Sequence, residues 1–296
     1  MLPFIKGNIK VSLFLFGVLM SELEQMMRLL DRARLNTEAR STNPNQEASD
    51  NPLHDVRDNT ITKSHALNRA YYRFGLVEKR CMEALISKLH PLRNDNDLQE
   101  IELSALEYAK AFNVSEKIAY RDIATAVEAL MHRVIRADRP KGKKGKYEMT
   151  VMSFAEYKDD EGKIACAFNN RIVPHLIGLR EKFSSYPLKK AVDFQSSYTW
   201  RFYEILVSWA QPKSKTAGAF MGWIDRQSVE ELREMLGVPK SYKWNMFETR
   251  VLNVVQTELR IKANVYITFE RVKTSRKITH LNIKFIEGDQ QQLPLK

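Results

Sequence analysis

Apolar positions fall into two runs of similar rhythm, one in each half of the chain. In the later run, residues 228–236 form a short amphipathic stretch and a glycine-containing turn follows at 237–240. Residues 244–259 then repeat apolar side chains at helical spacing. Two strand-like stretches within 265–285 flank a basic loop, the pattern of a β-hairpin. Short helix, turn, second helix and hairpin are the parts of a winged helix-turn-helix, whose second helix can enter a DNA major groove while the hairpin rests on phosphates.

The earlier run has the same plan. Residues 98–103 alternate as a strand, and Ser104 stands as a helix N-cap with Glu107 at capping-box distance. The spacing predicts a helix to Phe112, a turn at 113–115, and a second helix over 116–132 burying Ile118, Ile123, Val127 and Leu130. A strand at 133–137, a basic loop at 139–146, a strand at 147–154, a turn at 159–162 and a return strand at 163–168 follow. An offset of 124 lays Ser104 on Ser228, Tyr108 on Leu232, Phe112 on Leu236 and Asn113 on Gly237. The same offset lays Ile123 on Phe247, Val127 on Val251 and Leu130 on Val254. Both caps, both turns and the following basic hairpins coincide without a gap, which favours a duplicated unit over chance likeness between amphipathic helices.

The remaining segments frame these units. Residues 59–67 are extended and then turn. Leu76, Cys81, Leu85, Ile86 and Leu89 mark a helix that His90 and Pro91 end. Residues 170–188 link the halves, and 198–209 is a strongly apolar helix. Its Trp200, Tyr203, Leu206 and Val207 are expected to form a core layer for the second half rather than a base-stacking surface. A polar loop at 211–218 and a short strand at 220–224 lead to the second unit.

Before residue 59 the pattern changes. Residues 35–59 have few apolar positions and read as a flexible linker. Residues 11–20 are apolar behind Lys6 and Lys10, but too few to span a bilayer, and no small-residue cleavage site follows. The expected division is a leader and flexible segment over 1–58, an N-terminal winged-helix domain over 59–184, a C-terminal one over 185–288, and a tail over 289–296. The fold class is α+β, mainly helical, with two tandem winged helix-turn-helix domains.

Charge sharpens this picture. The 296 residues carry 47 Lys+Arg against 36 Asp+Glu, a net +11, which favours a polyanionic partner. Two cysteines, Cys81 and Cys166, are too few for a disulfide framework and fit a reducing cytoplasm. Lys240, Tyr242 and Lys243 at the start of the second unit's second helix are candidate phosphate contacts. So are Lys273, Arg276 and Lys277 at the second hairpin tip. Lys117, Tyr120, Arg121, Lys141, Lys143, Lys144 and Lys146 are their counterparts in the first unit. The six histidines are scattered with no metal-ligand spacing, and 141–145 lacks the context of a phosphate-binding loop. No catalytic residue, metal site or cofactor is expected.

Three stretches carry a resemblance to a known family. Asn169, Ile172, Pro174, Leu176, Gly178, Leu179 and Phe183 are spaced like an interdomain motif, residues 198–206 resemble a helix motif, and 265–285 resembles a final basic hairpin. Over about 60–287 the chain resembles the iteron-binding replication initiators of theta-replicating plasmids, the Rep_3 superfamily. The resemblance implies two winged helices, the second reading bases in direct repeats (iterons) and the first holding backbone and forming a homodimer interface. It further implies that monomers start replication with a host initiator and helicase, with chaperones as further partners, while dimers bind an operator inverted repeat and repress the gene. No membrane partner is implied. Where the family often carries consecutive arginines after a Phe, this chain has Phe247, Glu248, Thr249, Arg250. Arg250 is therefore the expected guanine reader, with Asn245 and Thr249 as further base readers and Glu248 as a salt-bridge partner. The alternatives are a repressor bound only to a palindrome, and a rolling-circle nicking enzyme.

Overall fold

Both predicted helix pairs begin at a serine cap. The computed structural model describes residues 55–89, 100–138, 144–210 and 220–288. The expectations for 1–54, the helix stop at 90–91, residues 98–99, the loop positions 139–143, the loop at 211–218 and the tail lie outside these.

In the first unit, strand β2 (Ile101–Ser104) ends at Ser104, whose hydroxyl accepts from the Glu107 amide at 3.1 Å. The Glu107 carboxylate accepts in return from the Ser104 amide at 2.9 Å, closing the predicted capping box. Helix α3 (Ala105–Phe112) runs from there to Asn113, which turns the chain at φ +53°. Helix α4 (Glu116–His132) follows, burying Ala119, Ile123, Ala126, Val127 and Leu130. The expectation for Ile118 is corrected: it is 39% exposed. The buried face takes Ala119 instead, four residues before Ile123, and Ile118 falls off that stripe.

The second unit repeats this. Strand β8 (Met221–Ser228) ends at Ser228, whose hydroxyl accepts from the Glu231 amide at 3.4 Å and starts α6 (Val229–Met235). Gly237 turns the chain at φ +64°. The second helix is continuous through α7 (Trp244–Phe247), a π-helical turn (Glu248–Leu252) and α8 (Asn253–Ala263). That π turn corrects one pairing of the repeat. Through Phe247 and Val251 the offset holds, both being fully buried, but Val254 is 37% exposed and Val255 takes the core position. A π turn spends an extra residue per turn, so the inward face slips by one.

Sheet topology supports the duplication. The second unit has strand order β8–β10–β9, with β9 (Val265–Thr274) and β10 (Lys277–Glu287) forming its hairpin. The first has β2–β6–β5, with β5 (Met152–Lys158) and β6 (Lys163–Phe168). In each, the strand before the helix pair lies against the last strand.

The first unit also contains a hairpin without a counterpart among the described residues, β3 (Val134–Asp138) paired with β4 (Lys146–Thr150). The strand expected over 147–154 is thus two strands. Val151 separates them, its amide bonded to the Arg133 carbonyl and its own carbonyl accepting from the Asn169 amide.

Two central helices, α2 (Leu76–Ser87) and α5 (Ser197–Trp209), are buried along most of their length. Beside them β1 (Thr60–Ser64) leads into the single turn α1 (His65–Asn68) and pairs with β7 (Phe183–Pro187). Helix α5 is not a core layer of the second half alone. Its Trp200 meets Phe112 of α3 at 6.4 Å between ring centroids, while Phe202 meets Phe269 of β9 at 5.6 Å. Both units share it. Cys81 and Cys166 are free and buried.

Candidate nucleic-acid interface

The approach to the second unit's second helix is tightly built. A Cβ on Gly237 would stand 2.5 Å from the Arg73 Cβ, so close approach and positive φ both demand glycine there. Arg233 lies over the Phe247 ring at 5.2 Å and donates to the Tyr242 carbonyl, fastening the turn to the helix. Lys240 and Lys243 are exposed at this entry, and Tyr242 is half-buried against the core.

Asn245, Thr249 and Arg250 are all exposed. The Thr249 hydroxyl donates to the Asn245 carbonyl at 2.8 Å, so its hydrogen is spent inside the helix. The Asn245 side-chain oxygen accepts from the Met246 amide at 2.9 Å, leaving its NH₂ as the uncommitted half of the amide. Arg250 sits with its guanidinium 5.7 Å from the Tyr242 ring centroid, a cation–π distance. Thr249 and Arg250 both lie within the π turn.

Glu248 forms the expected ion pair. Its carboxylate accepts from the Trp244 indole at 3.1 Å and is bridged by Arg271 of β9, whose guanidinium is 6.0 Å from the Trp244 ring. Arg271 was not among the sequence candidates. It lies 23 residues from Glu248 on another element, and no spacing rule joins them.

The hairpin beyond carries Lys273, Arg276 and Lys277, all exposed around a tip where Ser275 has φ +57°. The Thr274 and Thr279 hydroxyls meet at 2.8 Å across its base.

The first unit differs here. By topology its wing is β5–β6, and that tip holds Asp159, Asp160 and Glu161 rather than lysines. The coincidence of two basic hairpins is corrected accordingly: in the first half Lys146 opens β4 of the additional hairpin β3–β4, with Lys144 just before it. Tyr120 donates its hydroxyl to Asp159, and that bond, with burial and nearby carboxylates, pushes the phenol up to about 12. Lys117 and Arg121 are exposed, Arg121 lying 3.6 Å from Asp122. Lys144 is exposed. Lys146 reaches Glu234 at 3.2 Å and lies over the Tyr71 ring at 4.3 Å. Lys141 and Lys143 lie outside the described residues. Lys146, Lys240 and Lys277 line one cleft between the units, with Arg73, Arg136 and Arg233.

Two winged helices in tandem, the second with an exposed polar helix start and a basic wing, define a double winged-helix protein of the helix-turn-helix class. A family model described as Initiator Replication protein, WH1, matches residues 60–207, and one described as Initiator Rep protein, WH2, matches 228–285. The chain belongs to this family of replication initiator proteins. A replication initiation protein of Escherichia coli is 23% identical over 215 residues, covering 71% of this chain and 65% of that protein. The match therefore spans just under two thirds of that relative's length. The crystal structure of Pi initiator protein in complex with iteron DNA is similar in fold, with TM-score 0.60 and 21% identity, covering 79% of this chain and 99% of that one.

Proposed function

We propose that this protein initiates plasmid replication by binding directly repeated origin sequences in double-stranded DNA. In this reading residues 185–288 read bases through Asn245, Thr249 and Arg250. Lys240, Tyr242, Lys243, Lys273, Arg276 and Lys277 hold the flanking phosphates. Residues 59–184 hold the backbone of the adjacent groove through Lys117, Arg121 and the β3–β4 hairpin, and form the homodimer. Tyr120 contributes only after leaving Asp159. Initiation is the work of the monomer with a host initiator and helicase, and autorepression that of the dimer on an inverted repeat. The protein works in the bacterial cytoplasm without a catalytic step of its own.

The observation that carries this reading is the exposed set Asn245, Thr249 and Arg250 on one helix, flanked by entry lysines and a basic wing. The test is replication in trans. A test plasmid whose only origin is the DNA beside this gene is introduced into cells with and without the protein. Maintenance only when the protein is supplied supports an initiator. Repression of the gene without maintenance supports the palindrome-binding repressor. Strand cleavage of the supercoiled plasmid by purified protein with Mg²⁺ supports the nicking enzyme.

A further inference from the structure

We propose that Arg201 fixes the angle between the two winged helices, so that the protein accepts only one separation between the stretches of DNA they contact. The proposal rests on the reading above, that both units hold one duplex.

Five charged side chains are buried where β1, α2 and α5 meet. Lys63, Lys79, Glu83 and Glu204 are each at most 1% exposed and Arg201 is 2% exposed. Lys63 donates to Glu83 at 2.8 Å and also to Glu204, and Lys79 donates to Glu204 at 2.6 Å. Arg201 donates to Glu204 at 2.7 Å. Burial opposes charge on Glu204, but Lys63, Lys79 and Arg201 outweigh it and hold the carboxyl well below the usual range. Three cations thus face two carboxylates, and the cluster is one anion short.

Main-chain carbonyls of both units meet part of the shortfall, Arg201 Nε itself having no hydrogen-bond partner among the described residues. A single Arg201 nitrogen, Nη2, donates to the Ala70 carbonyl at 2.9 Å and the Met235 carbonyl at 3.4 Å, and the guanidinium lies 3.8 Å from the Tyr72 ring centroid. Ala70 stands just after α1 in the first unit. Met235 is the last residue of α6, the first helix of the second helix-turn-helix. Two residues on, the backbone of Gly237 presses against Arg73. The ion pair of Lys146 and Glu234 closes the same seam at its exposed rim, where such pairs add little. Opening the seam would take the Met235 carbonyl from a buried guanidinium that already has one donor unpartnered, which is unfavourable.

A rigid seam has a consequence on DNA. One inserted base pair moves the farther contact by about 3.4 Å along the axis and about 35° around it. Two units held at one angle cannot follow both changes, whereas loosely joined units can.

The same charge count supplies a variant that keeps the core. Without Arg201, Lys63 and Lys79 face Glu83 and Glu204 in balance, so Arg201→Met leaves the cluster neutral and retains a long apolar side chain. Duplexes carrying the protected repeat, unchanged or with one base pair inserted between the parts covered by the two units, are titrated with full-length wild type and variant. The insertion should weaken the wild type by about tenfold or more. It should weaken Arg201→Met by less than about threefold, whatever that variant's affinity for the unchanged repeat. Equal penalties overturn the proposal. In parallel, spin labels at the exposed positions 156 and 260, one on each unit, report the distance distribution of the free protein. A broader distribution in Arg201→Met is expected, and equal widths overturn the proposal without reference to DNA, so a failure of the DNA reading is told apart. Should the methionine variant not fold, Arg201→Lys keeps the charge without the forked head and is judged by the same two criteria.

Discussion

In the proposed function Arg250 is the side chain on which base preference turns. Its guanidinium is exposed and, among the described residues, steadied by the Tyr242 ring, so its donors are available to a guanine edge. Replacing it with alanine should cost about 1–3 kcal/mol of binding and relax preference at one base position, as measured on a panel of single-base variants of the repeat. Equal weakening on every sequence would make it a backbone contact. The exposure of Arg250 was legible from its place after Phe247, whereas the commitments of Thr249 and Asn245 within the helix were not, because a local side-chain bond depends on the rotamer. Histidine chemistry was equally silent in the sequence. Burial holds His175 below its ordinary value of 6.5, beside the Ser64 hydroxyl at 2.9 Å. The unfolded chain therefore takes up that proton first as pH falls. Stability should be independent of His175 above about pH 7 and decline as pH drops below 6.5. Denaturant midpoints across this window should fall less steeply in His175→Gln.

Elements were read from the sequence where capping chemistry or alternation is local, and misread where one element depends on another. The caps at Ser104 and Ser228 and both turns stand where expected, since a hydroxyl three residues from an amide is a short-range arrangement. The π turn has no such signature, and it moved the core from Val254 to Val255. Val255→Ala should destabilise by about 2 kcal/mol, while Val254→Ala should stay within about 0.5 kcal/mol; equal losses in chemical denaturation would contradict the slipped register. The first unit's wing was misassigned because a basic loop and an acidic turn lie in one run of alternating residues, and only strand pairing tells which closes the sheet. The two wings should then act differently. Lys277→Ala should flatten the dependence of binding on salt by about one unit on logarithmic axes. Asp159→Asn removes a negative charge and should not flatten it, as read from titrations at several salt concentrations.

At the scale of the molecule, the double winged helix was visible in the repeat at an offset of 124, and family membership agrees with it. What the repeat could not show is that the units share α5. Arg201 and Glu204 interrupt an apolar helix, a sign of a buried polar role, but their partners Lys63, Lys79 and Met235 are distant in sequence. In the proposed function the shared helix makes the protein a two-part clamp whose second half reads sequence. Protection of the plasmid DNA beside the gene, mapped by hydroxyl-radical footprinting with purified protein, tests this clamp most directly. Evenly spaced direct repeats, each protected along one face over both a strongly sequence-dependent part and a backbone-only part, are the predicted result. Protection confined to a single palindrome, or none, would contradict it.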